Sequence, residues 1–170
     1  LDFVKQVGGA EIAAKYEKWL KTNRSANSRG AVWVGNSGPS SIDRATAMLP
    51  GLFSERLDKA GIDFAVVYGT HALVVLGLGD DEMRAIVYRA MNTMYADMFR
   101  GFENRLTPVA LIPMHDPDEA LAELDFAVGE LGLKAIVVNA MVRKPAPEIV
   151  EIAPDLAQWS MAPTSPGIDV

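Results

Sequence analysis

Residues 62–68 (Ile-Asp-Phe-Ala-Val-Val-Tyr) form a nearly continuous apolar run that is rich in β-branched side chains. A run of this length and composition is typical of a strand buried in a parallel sheet. Two similar runs follow at residues 106–114 and at Ala135–Val138. The sequence therefore predicts three buried strands.

Helical patterns alternate with these strands. Apolar spacing predicts helices over residues 10–20, 42–59 with an interruption at Pro50, 81–102 and 117–131, and a weaker helix over 147–159. A short extended piece is expected at 31–34, and loops at 69–79 and in the Pro- and Gly-rich tail 162–170. Boundary signals support several of these limits: Gly61, Asp80, Asp116 with Pro117, and Gly132. Alternating apolar strands and amphipathic helices predict an α/β fold with parallel strands joined by right-handed crossovers.

The helix over 81–102 is unusually rich in methionine. Met83, Met91, Met94 and Met98 share its broad apolar face. Such a face is typical of a core helix, although methionines also line pliable binding grooves. We expect core packing.

Composition excludes several classes of protein. The chain has 170 residues, 49% of them hydrophobic and 22% charged, which suits one globular domain over residues 1–170. Sixteen basic and 22 acidic residues give a net charge of −6, so nucleic acid is not expected as a partner. There is no cysteine. The longest strongly apolar run, 72–78, is too short to cross a membrane, and no leader is visible, so we expect a cytoplasmic protein.

Four stretches carry a resemblance to one family. They are residues 43–50 (Asp-Arg-Ala-Thr-Ala-Met-Leu-Pro), 55–68, 105–114 (Arg-Leu-Thr-Pro-Val-Ala-Leu-Ile-Pro-Met) and 116–135. Together they resemble the amidohydrolase-related family that includes aminocarboxymuconate-semialdehyde decarboxylase and the resorcylate decarboxylases. The resemblance implies a (β/α)₈ TIM-type barrel, of which this chain would be about the first half. A whole barrel needs about 250 residues, and the chain begins with Leu1, so we expect a longer parent protein and a homo-oligomer.

The resemblance also implies a divalent metal, Zn²⁺ or a similar ion. The family holds it with a His-x-His pair after the first strand, a histidine after a middle strand and a late aspartate. The pair does not occur in this sequence, and Met141 stands at the middle position. A thioether is a poor ligand for such an ion, so the chain is predicted to complete no metal site by itself.

In a barrel the active site lies at the carboxyl ends of the strands. The candidate site residues are therefore the polar residues that follow the predicted strands. His71 and His115 are the candidate catalytic groups, because histidine titrates near neutral pH. The alternatives are that His71 packs within its loop and that His115 caps the next helix. Candidate substrate-binding residues are Tyr68, Thr70, Asn139 and Arg143, and Arg143 is also compatible with a surface position.

Two classes of function follow. The first is an amidohydrolase-like hydrolase or non-oxidative decarboxylase that acts on a small carboxylated substrate, aromatic or cyclic. The second is a metal-free barrel that acts as a binding protein or structural subunit. Met141 and the exposed sheet edges of half a barrel favour the second class.

Overall fold

The computed structural model describes residues 1–22, 41–139, 142–145 and 161–164. Its helices are α1 (Asp2–Thr22), α2 (Ser41–Met48), α3 (Pro50–Ala60), α4 (Thr70–Val75), α5 (Asp81–Met98) and α6 (Pro117–Leu124), which a π-helical segment (Asp125–Glu130) continues. Its strands are β1 (Ala65–Val67), β2 (Leu106–Ile112), β3 (Ala135–Val138), β4 (Val142–Pro145) and β5 (Met161–Thr164). The predicted alternation of helices and strands is confirmed from α3 to β3.

The first three strands form one parallel sheet, and its strand order follows the chain. Ala65 lies opposite Leu106, and Ile136 lies opposite Ala110. Helix α5 lies in the connection from β1 to β2, and α6 lies in the connection from β2 to β3. The prediction of an α/β fold with parallel strands is therefore confirmed. Strands β4 and β5 pair antiparallel in a separate sheet.

One face of the parallel sheet packs against helices. Ala65 and Val67 of β1 pack with Leu106 of β2, and this group contacts Leu57 of α3 and Phe99, the residue that follows α5. Residues that lie opposite each other in a parallel register project from the same face. The side of β1 and β2 that carries these side chains is therefore the helix-covered face of the sheet.

The three strands differ in burial. Every residue of β2 is buried, whereas Val66 of β1 is 48% exposed and Ile136 of β3 is 45% exposed. The prediction of a buried strand is right for β2 and wrong for β1 and β3, whose residues are all exposed or half-buried. The reason is position: β2 has a strand on each side, and β1 and β3 are the outer strands of the described sheet. Strand β1 is also shorter than the predicted 62–68.

Most predicted helix boundaries are confirmed. Pro50 separates α2 from α3, and Gly61 ends α3 in the left-handed conformation with φ 68°. The Asp80 carboxylate accepts a hydrogen bond from the Met83 N–H and so caps α5. Asp116 caps α6 in the same way, by accepting from the N–H groups of the first turn.

Four segments correct the predictions. Residues 70–75 form α4 rather than a loop, because Ala72, Val74 and Val75 reach the core from one helical turn. Helix α5 ends at Met98, before a turn in which Gly101 has φ 87°. The helix predicted over 117–131 changes to π-helical hydrogen bonding at Asp125. The tail predicted to be irregular contains β5.

Helix α1 begins at Asp2, before the predicted start at Ala10. Gly9 interrupts it with φ 80°, so the two parts of the helix meet at a kink. Gly8 faces Ile86 of α5, and a Cβ at residue 8 would overlap that side chain. The glycine pair therefore lets α1 approach α5 closely, which an alanine would prevent.

Two predicted elements, the extended piece at 31–34 and the helix over 147–159, lie outside the described residues. Within the described residues, no helix combines the length and the apolar character that crossing a bilayer requires.

A buried polar side chain joins α5 to the central strand. Asn92 donates to the Leu111 carbonyl (2.9 Å) and accepts from the Leu111 N–H (2.8 Å). Its amide also donates to Glu123 of α6, whose second carboxylate oxygen accepts from Arg89. Strand β1 ends at Val67, opposite residue 108, so Asn92 makes the two bonds that a longer neighbouring strand would make to Leu111.

This arrangement predicts a large effect of Asn92 on stability. Asn92→Ala removes both hydrogen bonds to Leu111 and one to Glu123. Each buried group left unsatisfied costs about 1–3 kcal/mol, so we expect the free energy of unfolding to fall by about 2–4 kcal/mol. Urea denaturation measures it. The control is Thr93→Ala, whose hydroxyl only donates to the Arg89 carbonyl within α5, and an equal loss in both variants would contradict the assignment.

Candidate functional site

A cleft of about 820 Å³ opens at the carboxyl end of β1. Val67 and Pro108, which lie opposite each other in the register, line its base on the helix-covered face of the sheet. Residues of α2, α3 and α5 also line it. The cleft is thus at the strand end where the sequence places the site, but it lies between the sheet and its helices.

The sides of the cleft are mainly aromatic and thioether groups. They come from α2, α3 and α5: Met48, Phe53, Met94, Tyr95, Met98 and Phe99. The expectation that the methionines of α5 are core residues is right for Met83 and Met91, which are buried. It is wrong for Met98, which is exposed and lines the cleft because the apolar face of α5 extends past the sheet.

Close packing fixes the junction between β1 and α4. Gly69 lies against the ring of Tyr95, and a Cβ at residue 69 would overlap the Tyr95 hydroxyl. Burial raises the pKa of Tyr95 to about 12, and a hydrogen bond from the Ala72 backbone opposes this shift. Tyr95 therefore remains a neutral phenol that holds α4 beside α5.

Three predicted site residues meet in this cleft. Tyr68, Thr70 and His71 line it together, because β1 leads into the first turn of α4. Nε2 of His71 lies 2.9 Å from the hydroxyl of Tyr16 on α1. Tyr16 is 3% exposed, and burial raises its pKa to about 12. No local sequence signal predicts this contact, since the two residues are 55 positions apart.

Helix α2 adds charged groups that the sequence analysis did not select as site residues. Arg44 and Asp43 line the cleft, and the Asp43 carboxylate accepts from Arg56 at 2.7 Å. Both residues belong to the stretch 43–50, which carries part of the family resemblance. That resemblance is the sequence feature that could have pointed to them. The cleft thus combines a guanidinium and a carboxylate of α2 with the imidazole of His71 and the hydroxyls of Tyr68 and Thr70 after β1, beside a mainly apolar lining.

The other predicted residues lie elsewhere or outside the described part. His115 follows β2 and is half-buried, and it is not among the described residues that line the cleft. Asn139 follows β3 and donates to the Leu76 carbonyl at 2.5 Å. Arg143 lies in β4, where only the backbone is described, and Met141 is outside the described residues.

The described side chains do not fit the divalent metal that the resemblance implies. Among residues 1–22, 41–139 and the two short described strands, no group of three or more His, Asp or Glu side chains is placed to hold an ion. Nε2 of His71 is hydrogen-bonded to the Tyr16 hydroxyl. These residues by themselves therefore assemble no zinc site.

Comparison with known proteins gives a structural likeness. No protein-family profile matches the chain, and no curated protein matches it. A 2,6-dihydroxybenzoate decarboxylase from Rhizobium is similar over 60% of this chain, with 21% identity and a TM-score of 0.47. A structure of 2,6-dihydroxybenzoate decarboxylase complexed with 2,6-dihydroxybenzoate gives 22% identity and a TM-score of 0.48. The likeness spans about a third (34%) of each of those chains and concerns the path of the backbone.

The Gly69–Tyr95 contact predicts that residue 69 tolerates no side chain. We expect Gly69→Ala to lower the free energy of unfolding by about 1–3 kcal/mol, because the added methyl displaces a buried ring. Gly79→Ala is the matched control, since nothing lies within 4 Å of a Cβ at residue 79. Thermal and urea unfolding compare the two. Equal stability of the two variants would show that Tyr95 does not press on the start of α4.

Proposed function

We propose that the full protein is a non-oxidative decarboxylase or related hydrolase that acts on a small aromatic or cyclic carboxylate, and that the cleft at the end of β1 binds this substrate. The observation that supports the proposal is the convergence of Tyr68, Thr70 and His71 with Arg44 in one mainly apolar cleft. Such a site, apolar with a few convergent polar groups, is the usual form of a small-molecule site.

The apolar sides suit a ring. Phe53 and Phe99 line the cleft and belong to one hydrophobic cluster, and Met94 and Met98 of α5 line it as well. Aromatic rings and thioethers pack favourably on a planar ring. We assign these residues to the ring of the substrate.

The cationic side suits a carboxylate. A guanidinium binds a carboxylate through two parallel hydrogen bonds, so we assign this role to Arg44. Asp43 is the acidic neighbour on the same helix, and its ion pair with Arg56 offsets its repulsion of an anionic ligand. The hydroxyls of Tyr68 and Thr70 are then assigned to polar substituents on the ring.

His71 is assigned to proton transfer. In a non-oxidative decarboxylation the bond from the ring to the carboxylate carbon breaks, the ring carbon takes up a proton, and CO₂ leaves. An imidazole titrates near neutral pH, so its protonated form can deliver that proton and return to the neutral imidazole. In the hydrolytic variant of the proposal the same group moves a proton to or from water. These roles use only side chains of the cleft.

Ligand binding tests the assignment of Arg44. In the full protein we expect Arg44→Gln to weaken binding of 2,6-dihydroxybenzoate by about tenfold or more, because a charged hydrogen bond is worth about 1.5–3 kcal/mol. Calorimetric titration measures the affinity. Arg100→Gln is the control, since Arg100 is an exposed arginine at the end of α5. Unchanged binding by Arg44→Gln, or no binding by the parent, would contradict the proposal.

A structural subunit is the second candidate, and one observation favours it. Ile136 and Val138 project from one face of β3, an outer strand of the described sheet, and expose apolar surface there. Proteins often cover exposed outer strands by association with another chain. If this face joins two chains, Ile136→Lys converts a stable oligomer into a smaller species in sedimentation velocity, and Leu121→Lys on α6, an exposed leucine as well, does not. An unchanged sedimentation coefficient for both would count against the subunit.

A further inference from the structure

We propose that Tyr16 is a positioning residue for His71, and that it fixes the neutral imidazole in the tautomer that carries its proton on Nδ1. The contact between α1 and α4 carries this inference. Its consequence for turnover rests on the function proposed above, whereas the tautomer itself does not.

The contact joins a rigid group to an exposed one. Tyr16 is buried and its ring stacks on Trp19 with centroids 5.8 Å apart and planes at 15°. His71 is exposed at the start of α4, and its Nε2 lies 2.9 Å from the Tyr16 hydroxyl. The tyrosine is therefore the fixed partner, and the imidazole is the group that it orients.

Chemistry decides which atom donates. The buried phenol holds its proton throughout the physiological range, since burial raises its pKa to about 12. A phenol O–H is a stronger donor than a neutral imidazole N–H, and an imidazole nitrogen is a stronger acceptor than a phenol oxygen. A buried O–H without an acceptor is also costly. Tyr16 therefore donates, and Nε2 of His71 accepts.

The tautomer follows from this bond. In neutral imidazole one ring nitrogen accepts and the other carries the proton, so acceptance at Nε2 places the proton on Nδ1. In the neutral imidazole the N–H donor is then at Nδ1. Tyr16 also keeps the imidazole from turning about its side-chain bonds.

The test is nitrogen-15 NMR of the full protein at a pH at which His71 is neutral, with the His71 signals identified by their loss in His71→Gln. We expect the chemical shifts of the Nδ1–H tautomer in the parent protein. In Tyr16→Phe, which keeps the ring and its stacking, we expect the shifts to move toward the Nε2–H tautomer. Tyr88→Phe is the control, because Tyr88 is equally buried in α5 and its charged neighbours are Arg84 and Glu119.

A parent protein with Nε2–H at His71 overturns the proposal, and so does an unchanged tautomer in folded Tyr16→Phe. If Tyr16→Phe fails to fold, the tautomer observed in the parent spectrum decides the question by itself. For turnover we expect roughly tenfold lower kcat in Tyr16→Phe, because that variant loses one orienting hydrogen bond. We expect no change in kcat in Tyr88→Phe. The expected tautomers in a protein without decarboxylase or hydrolase activity would support the role of Tyr16 and overturn the proposed function.

Discussion

The pair of hydrogen bonds between Asn92 and the backbone of Leu111 sets the position of helix α5 on the sheet. An amide that both donates to and accepts from one residue fixes the helix along the strand as well as above it. Hydrophobic contacts alone tolerate sliding, because they are not directional. Glu123 extends this network to α6, so α5 and α6 are both tied to the same point of the central strand.

The shape of the cleft depends on the position of α5. Tyr95 and Phe99 lie one and two turns beyond Asn92 on α5, so their height above β1 follows from the Asn92 bond. Tyr95 in turn limits how closely Gly69 and α4 approach. Helix α1 packs along α5 and brings Tyr16 to His71. A shift of α5 would therefore alter the apolar side of the cleft and the imidazole together.

The sequence predicted the parallel sheet and most helix limits, because these depend on local signals: the apolar run of β2, the caps Asp80 and Asp116, and the turn at Gly61. It predicted the exposure of β1 and β3 poorly, since burial depends on which strands have neighbours. It placed Tyr68, Thr70 and His71 together after the first strand, and in the structure they line one cleft there. Asn92 and Tyr16 went unnoticed, because a polar residue within an apolar helix face reveals its partner only when distant segments meet.

Hydrogen exchange of the Leu111 amide tests the central claim most directly. If Asn92 acts as the missing neighbour of β2, the Leu111 N–H exchanges as slowly as the other buried amides of β2, and it loses that protection selectively in Asn92→Ala while Val109 keeps its own. Rapid exchange of the Leu111 amide in the parent protein, or equal protection in the parent and the variant, would contradict the account of how α5 is placed.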